Sequence, residues 1–481
     1  MQTKITNTPN DLPKIDTIPS PTTNSNSHQQ NFLETFITRY NKRTQTSKQQ
    51  TQTYRPVLAD VRGSAGFHLA IKEIVYPIIG KRACGSKMWD IDGNEYIDLI
   101  MGFGVNLFGY NPPFIKEAIA ERLEQGIHIG PQSNLAGEVA QLISELTGME
   151  RVTFSNTGTE AVMTALRLAR AVTGRNKIVM FSGAYHGHFD GTLAKSQIVN
   201  ETTKIEPAFI GVPPNMVADV LVLEYGNLQS LEVIKANQNE LAAVIVEPVQ
   251  NDKPHLQPQE FLQQLRQITQ ASGIALIFDE MLTGFRLHPG GAQAWFGIKA
   301  DIATYGKILG GGMPIGVIAG KAAYMDRIDG GMWDYGDASS PQEKTTFFAG
   351  TYCKHPLAMA AARAVLEYLK IQGPTLQQQL NQRTSQFIQK LNSYFEEDEV
   401  PIKLANCGSI FNTVPLANSA NSNNDASANL DLMYYLLIDK GVYLRAGGGL
   451  LSTAHTDEDL DYIIQAVKHS VQELRDAGFL P

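Results

Sequence analysis

The stretch "AAVIVEPVQNDKPHLQPQEFLQQLRQITQASGIALIFDE", residues 242–280, holds a complete strand–helix–strand unit. Its ends, "AAVIVEP" (242–248) and "IALIFDE" (274–280), are short apolar runs without alternation. Such runs read as strands buried on both faces. Between them, "PQEFLQQLRQITQAS" (258–272) carries a helical pattern. Two strands joined through a helix read as a parallel pair with a right-handed crossover.

Working outward, "VTFSN" (152–156), "KIVMFS" (177–182), "VLVLE" (220–224) and "IGVIAG" (315–320) repeat the texture, with helices such as "EAVMTALRLARAV" (160–172) between them. The fold class is therefore α/β, a large domain built on a mostly parallel sheet. In such sheets ligands bind at the carboxyl ends of the strands. After residue 356 an α+β pattern marks a smaller C-terminal domain, in which "ANSANSNNDASAN" (417–429) reads as a surface loop. Ahead of the sheet, "KMWDIDGNEYIDL" (87–99) alternates around Asp92-Gly93, a hairpin signal. Residues 1–29 lack the apolar surface needed to offset ordering entropy and are expected to be disordered. "NFLETFITRY" (31–40) has helical spacing and precedes the polar "NKRTQTSKQQTQT". It reads equally as a linker or docking helix and as a helix packed on its own body. The resulting division is a leader at 1–29, a helix at 30–53, an N-terminal segment with a hairpin at 54–110, the large domain at 111–355 and the small domain at 356–481.

The bulk numbers narrow the function. The chain has 481 residues and a net charge of −8, which argues against a nucleic-acid footprint and against an anionic membrane surface. Cys84, Cys353 and Cys407 are far apart and match no zinc spacing, so reduced thiols are expected. No apolar run approaches a membrane span, and no signal or transit peptide is evident. The chain reads as soluble and cytoplasmic, standing alone behind its disordered leader.

Several residues carry chemistry. "TYGKILGGGMPIG" (304–316) sets Lys307 ahead of Gly310, Gly311 and Gly312. Asp279 and Glu280 end a buried strand, as a site carboxylate or as a helix cap or loop ion pair. "SNTGTEAVMTALRLAR" (155–170) is a strand-end turn entering a helix. Thr157 and Glu160 there have capping-box spacing, and Gly158 allows close backbone approach. That helix start reads either as an ordinary cap or as a phosphate site. "GAYHGHFDG" (183–191) puts Tyr185 at another strand end, where a ring could cover a flat ligand. His186 and His188 lack a third ligand at metal-like spacing, so no metal is expected. Gln250 follows a further strand, and Gly350-Thr351 precede a helix that begins near Pro356. The G-x-x-x-x-G-K-[ST] order is absent, which excludes a nucleotide phosphate loop. An amine, a buried carboxylate, a phosphate-binding helix start, an aromatic cover and an amide together suit one cofactor, pyridoxal 5′-phosphate.

From about 54 to 475 the chain resembles the class III, fold-type I aminotransferases, in the glutamate-1-semialdehyde 2,1-aminomutase branch. "SNTGTEA", "YHGHFDG", "EPVQ", "FDEMLTGFR", "YGKILGGGMPIG" and "GTYCKHPLAMAA" occur in family order. The resemblance implies that Lys307 holds the cofactor as a Schiff base and that Asp279 partners the pyridinium nitrogen. It further implies that Gly158 and Thr159 bind the phosphate, that Tyr185 stacks on the ring and that Gln250 lies near the phenolic oxygen. Thr351 would reach the phosphate of a neighbouring subunit, which implies a homodimer. "FITRYNKRTQTSKQQTQTYRPVLADVRGSAGF" with "IKEIVYPIIGKR" and "EPVQNDKPHLQPQEFL" resembles the aminotransferase domains of hybrid polyketide/nonribosomal peptide synthetases. Those act on a β-keto acyl thioester held by a carrier protein, with glutamine or glutamate as donor. The chain departs from the aminomutase pattern at two places. Gly447, in "RAGGGLLSTAHT", stands where the mutase has its active-site glutamate. His68 stands where the mutase has its carboxylate-binding arginine, with Arg62 and Arg445 as possible substitutes. An aminotransferase is the expected activity, with the intramolecular aminomutase and a non-catalytic synthase partner as alternatives.

Overall fold

The computed structural model describes residues 27–63, 67–199, 202–414, 425–444 and 447–480. Its centre is a seven-stranded sheet: β1 (Arg151–Ser155), β2 (Lys177–Phe181), β3 (Val220–Leu223), β4 (Leu241–Val246), β5 (Ala275–Asp279), β6 (Ile302–Gly306) and β7 (Gly316–Gly320). The spatial order is β1-β7-β6-β5-β4-β2-β3. Strands β2 to β6 pair in parallel, and β7 runs antiparallel to both β6 and β1.

The missing alternation has a direct cause. Leu276 and Phe278 of β5 enter one core, while Ala275 and Ile277 enter another on the opposite face. Val244 and Val246 of β4 divide from Ala243 and Ile245 in the same way. Both faces are buried, so both parities are apolar. The second core is closed by the helix Gly158–Thr173, whose Ala161, Ala165, Leu168 and Ala169 are fully buried. The first core is larger and continues into the C-terminal region.

The N-terminal segment belongs to that C-terminal region. Lys87–Asp90 and Glu95–Asp98 form an antiparallel hairpin that turns through Gly93 at φ 88°. Its second strand pairs in parallel with Val442–Tyr443. A separate sheet joins Leu404–Cys407, Ile410–Thr413 and Gly448–Leu450.

Two sequence expectations need correction. The helix Ser27–Arg43 starts inside the stretch expected to be disordered. His28 Nε2 meets the Asp476 carbonyl at 2.6 Å and Gln29 Nε2 donates to the Gly478 carbonyl at 2.7 Å, so the C-terminal helix orders it. Residues 1–26 lie outside the described residues. This first helix also packs Phe36 and Tyr40 into the body and pairs Arg39 with Asp439 and Glu473. The loop expected at 417–429 is helical from Asp425, where Asp425–Asp439 begins; up to 424 it falls outside the described residues.

Candidate functional site

Every strand of the sheet except β7 delivers its carboxyl end to one edge, and β7 brings its amino end there. The register Gly306↔Gly316↔Ser155 lines up the turn after β6 with the turn after β1. Gly316 is required: a side chain there would collide with the Thr157 carbonyl.

Lys307 is the first residue past β6 and adopts φ 43°, the left-handed region that disfavours a side chain. Burial lowers its pKa; the Glu247 and Asp279 carboxylates oppose this, and the Arg286 guanidinium reinforces it. Its Nζ makes no hydrogen bond or ion pair among the described residues. The result is a largely dry amine biased toward its neutral, nucleophilic form.

Asp279 ends β5 and is 3% exposed. Thr304 Oγ1 donates to its Oδ1 at 3.0 Å, and the Met281 N–H donates to the same oxygen at 3.2 Å. His186 Nδ1 donates to Oδ2 at 2.7 Å. Burial works against a charged His186, yet the hydrogen bond and charge of Asp279, with Glu247 behind them, raise its pKa overall. His186 Nε2 is buried without a partner. The carboxylate is thus held by three donors, which suits pairing with a cationic ring atom.

The neighbouring carboxyl has a different task. Glu280 accepts from the N–H groups of Ala292 and Gln293 and from Thr283 Oγ1. It caps the short helix Gly291–Phe296 from twelve residues upstream, while burial pushes its pKa up to about 7. The Asp279-Glu280 pair therefore splits into one residue at the edge and one helix cap.

At the helix start, Thr157 Oγ1 accepts from the Glu160 N–H at 3.1 Å. The Glu160 carboxylate returns to Asn156 N–H rather than to Thr157, one residue short of a reciprocal box. The first-turn N–H groups of Gly158 and Thr159 have no intrahelical acceptor and suit an anion. A Cβ on Gly158 would lie 2.9 Å from Met281 Sδ, and one on Gly306 would lie 2.8 Å from it. Both glycines thus make room for the Met281 thioether, which sits between the helix start and the lysine turn. Thr159 Oγ1 accepts from the His188 N–H and touches Gly187, so the 183–191 loop rests on the helix start.

Tyr185 is 69% exposed, and its N–H donates to Glu247 Oε2 at 2.8 Å. Gln250 is buried; its Nε2 donates to the Ser182 carbonyl at 3.0 Å and its Oε1 has no partner. Its free atom is therefore an acceptor, open only to a group that brings a proton. Gly350 lies beside Asn156 and Cys353 of the same chain, and Thr351 is exposed. The edge so gathers Lys307, Asp279, Gly158, Thr159, Tyr185 and Gln250, with Thr351 on the surface nearby.

Sequence reasoning missed three residues here. His186 was weighed only as a metal ligand, Glu247 lay unremarked at the end of β4, and Arg286 sits fully buried. Arg286 donates to Ser409 Oγ and to the carbonyls of Leu451 and Gly104, joining three chain segments. The period-2 parity of β4 and β5 was the available signal for Glu247.

The C-terminal region meets the loop after β4 at Asn412. Gly447 has φ 97°, and a Cβ there would lie 2.6 Å from Asn412 Oδ1. Its N–H donates to Tyr434 Oη. A side chain there would be strained by the left-handed backbone, and Asn412 would have to move to admit it. Asn412 Nδ2 reaches the Asn251 carbonyl at 3.4 Å, which sets this wall against the loop after β4. Arg62 is committed to Asp60, His68 is buried, and Arg445 lies outside the described residues.

Residues 69–470 match the family model for class III aminotransferases. The chain is 36% identical over 412 residues to a glutamate-1-semialdehyde 2,1-aminomutase of Chloroflexus aggregans, covering 83% of this chain and 91% of that one. The aminomutase of Ruminiclostridium cellulolyticum is also 36% identical, over 409 residues, at 82% and 91% coverage. Among solved structures, a β-phenylalanine aminotransferase from Variovorax paradoxus superposes with TM-score 0.78 at 28% identity, covering 94% of this chain and 99% of that one. The cofactor of this family is pyridoxal 5′-phosphate. The edge fits it: an unpartnered lysine amine, a held carboxylate, orphaned buried atoms on His186 and Gln250, and open first-turn N–H groups.

Proposed function

The chain belongs to the class III aminotransferase family and is a pyridoxal phosphate-dependent enzyme, and on that premise we propose that it aminates a β-keto acyl thioester carried on an acyl carrier protein. Glutamine or glutamate is the donor, and natural-product biosynthesis of the mixed peptide/polyketide kind is the setting. The working form is a cytoplasmic homodimer. Among the described residues no helix is long and apolar enough to cross a membrane.

The bound cofactor supplies an electron sink for a carbanion. Lys307 would hold it covalently, and its Nζ would move a proton at the donor α-carbon as base and then acid. Burial lowers the Lys307 pKa, which favours the neutral amine that work needs. Asp279 would pair with the ring nitrogen, its direction fixed by His186, Thr304 and the Met281 N–H. Gly158 and Thr159 hold the phosphate, joined by Thr351 of the partner copy. Tyr185 would cover the ring, and Gln250 Oε1, which has no protein partner, would accept from the ring hydroxyl.

Gly447 carries the choice of transferase over mutase. A mutase must retain a diamino species within one active site, and a carboxylate at this wall would hold it. Here the left-handed backbone and the nearby Asn412 would strain one. The aminomutase reading draws on the names of the relatives at 36% identity. A non-catalytic role is disfavoured by the intact Lys307 and Asp279. The test is ¹⁵N-labelled donor with free and carrier-bound β-keto acids, followed by mass spectrometry. Label should enter the product. Conversion of glutamate-1-semialdehyde to 5-aminolevulinate without label uptake would establish the mutase instead.

A further inference from the structure

Away from the sheet edge, the first helix, the hairpin and the C-terminal helix frame an open cleft of about 380 Å³, within the size range of small-molecule sites. The helix Asp457–Asp476 turns Tyr462, Gln465 and His469 toward it from one face, at i, i+3 and i+7. Gly441 also lines the cleft and adopts φ 79°. A Cβ built there would lie 3.1 Å from the Glu95 carbonyl oxygen, 3.7 Å from Arg43 Nη2 and 3.8 Å from Tyr462 Oη. Polar atoms from three distant segments therefore meet around one point. Tyr462 Oη donates its proton to the Lys440 carbonyl at 2.7 Å, so toward the cleft it offers only lone pairs, as the Glu95 carbonyl does. The other charged side chains at the rim are matched: Glu95 pairs with Lys87, Asp439 with Arg39 and Lys440 with Glu473. Arg43 has no ion pair among the described residues. Its guanidinium lies 5.6 Å from the Tyr96 ring centroid, and its Nε is buried without a partner. No residue placed at the sheet edge lines this cleft.

We propose that this cleft binds a free α-amino acid. The ligand carboxylate accepts from Arg43, the unmatched cation. The ligand ammonium lies beside Gly441 and donates to the Glu95 carbonyl and to Tyr462 Oη. One carbon separates the two charges of such a ligand, which suits a donor and two acceptors gathered within 4 Å of one point. A simple anion would satisfy Arg43 but meet two acceptors, and a simple amine would leave Arg43 unmatched. Gln465 and His469 line the cleft up to two turns beyond Tyr462 and make no hydrogen bond among the described residues. They favour a polar ligand side chain. The site takes no part in the chemistry at the sheet edge, and it does not depend on which substrate is used there. Its occupant would tie the first helix to the hairpin and to the C-terminal helix.

The experiment is equilibrium dialysis of the holoenzyme with ¹⁴C-labelled 2-aminoisobutyrate, which carries both charges and has no α-hydrogen to lose. Treatment with aminooxyacetate beforehand caps the cofactor aldehyde and closes that site to amines. Wild type should then hold one saturable equivalent per chain. Arg43→Met should weaken binding about tenfold or more, and Tyr462→Phe should weaken it about threefold. Unlabelled glutamine should displace the label. N-acetylglycine and glycinamide, each lacking one of the two charges, should displace it at least about tenfold less well than glycine. That competition uses wild-type protein alone, so it decides the matter even where Arg43→Met does not fold. The absence of saturable binding overturns the proposal. So does displacement by N-acetylglycine or glycinamide as good as by glycine, which would leave a site for one charge only. A folded Arg43→Met variant that binds 2-aminoisobutyrate as wild type does overturns it as well.

Discussion

The carboxyl edge of the seven-stranded sheet and the strand pair Ile410–Thr413 and Gly448–Leu450 are linked where Asn412 Nδ2 reaches the Asn251 carbonyl, yet they carry opposite chemistry. The edge presents Lys307, Asp279, His186 and Glu247, each tied to another by charge or hydrogen bond. The strand pair presents Asn412 and glycines, with no ionisable side chain between Ile410 and Thr413 or between Gly447 and Leu450. The first wall is over-determined: Asp279 has three donors, and the loop over it is stapled at consecutive residues, Tyr185 to Glu247 and His186 to Asp279. The second wall is defined by what it leaves out. Bond-making chemistry needs fixed charge, whereas substrate choice can be set by space and by a few dipoles.

The harshest way to break this contrast is Lys307→Ala. If all proton transfer is concentrated on the first wall, turnover should fall about 10⁴-fold or more. Borohydride should no longer fix the cofactor to the chain, read as the mass of the intact protein. A cofactor still trapped at another lysine would move the centre elsewhere. Next in size is Asp279→Asn, which retains the shape but removes the charge opposite His186. Cofactor binding should persist in part while turnover drops about 10³-fold. The pH profile should change with it, because His186 loses the carboxylate that raises its pKa. Near-normal turnover would mean that the ring nitrogen has another partner.

The two walls were not equally legible in the sequence. Strands β4 and β5 declare themselves because both parities are apolar, and Asp279 follows as the first polar residue after such a run. Lys307 stands out as a lone cation between a buried strand and a glycine run. Pairings distant along the chain left no comparable mark. Val442–Tyr443 joining the hairpin at Glu95–Asp98 spans more than three hundred residues. Glu280 looked like a twin of Asp279 until the helix Gly291–Phe296 turned back onto it. Gly158 advertised close approach, but the occupant between it and Gly306 is Met281, which no local pattern names. The strain a side chain would meet at Gly447 depends on its φ and on Asn412, both tertiary facts.

The smallest expected effect sharpens the comparison through pH. Burial, with Asp279 adding to it, pushes the Glu247 carboxyl up to about 7, against the pull of His186, the Tyr185 N–H and Lys307. A carboxyl whose native pKa exceeds its unfolded value binds more protons in the native state between the two. Stability must therefore fall as pH rises through that window, from the ordinary carboxylate range to about 7. His186 acts with the same sign, since its raised pKa stabilises the native state at low pH and that contribution is lost on deprotonation. Glu247→Gln keeps an acceptor for the Tyr185 N–H and removes one titration. Its thermal midpoint relative to wild type should improve by about 1–3 °C between pH 5 and pH 8. Asn412→Ala, on the uncharged wall, should shift the midpoint by the same amount at every pH. A Glu247→Gln difference that stays flat, or an Asn412→Ala difference that tilts with pH, would show that the titrating groups are not confined to the strand ends.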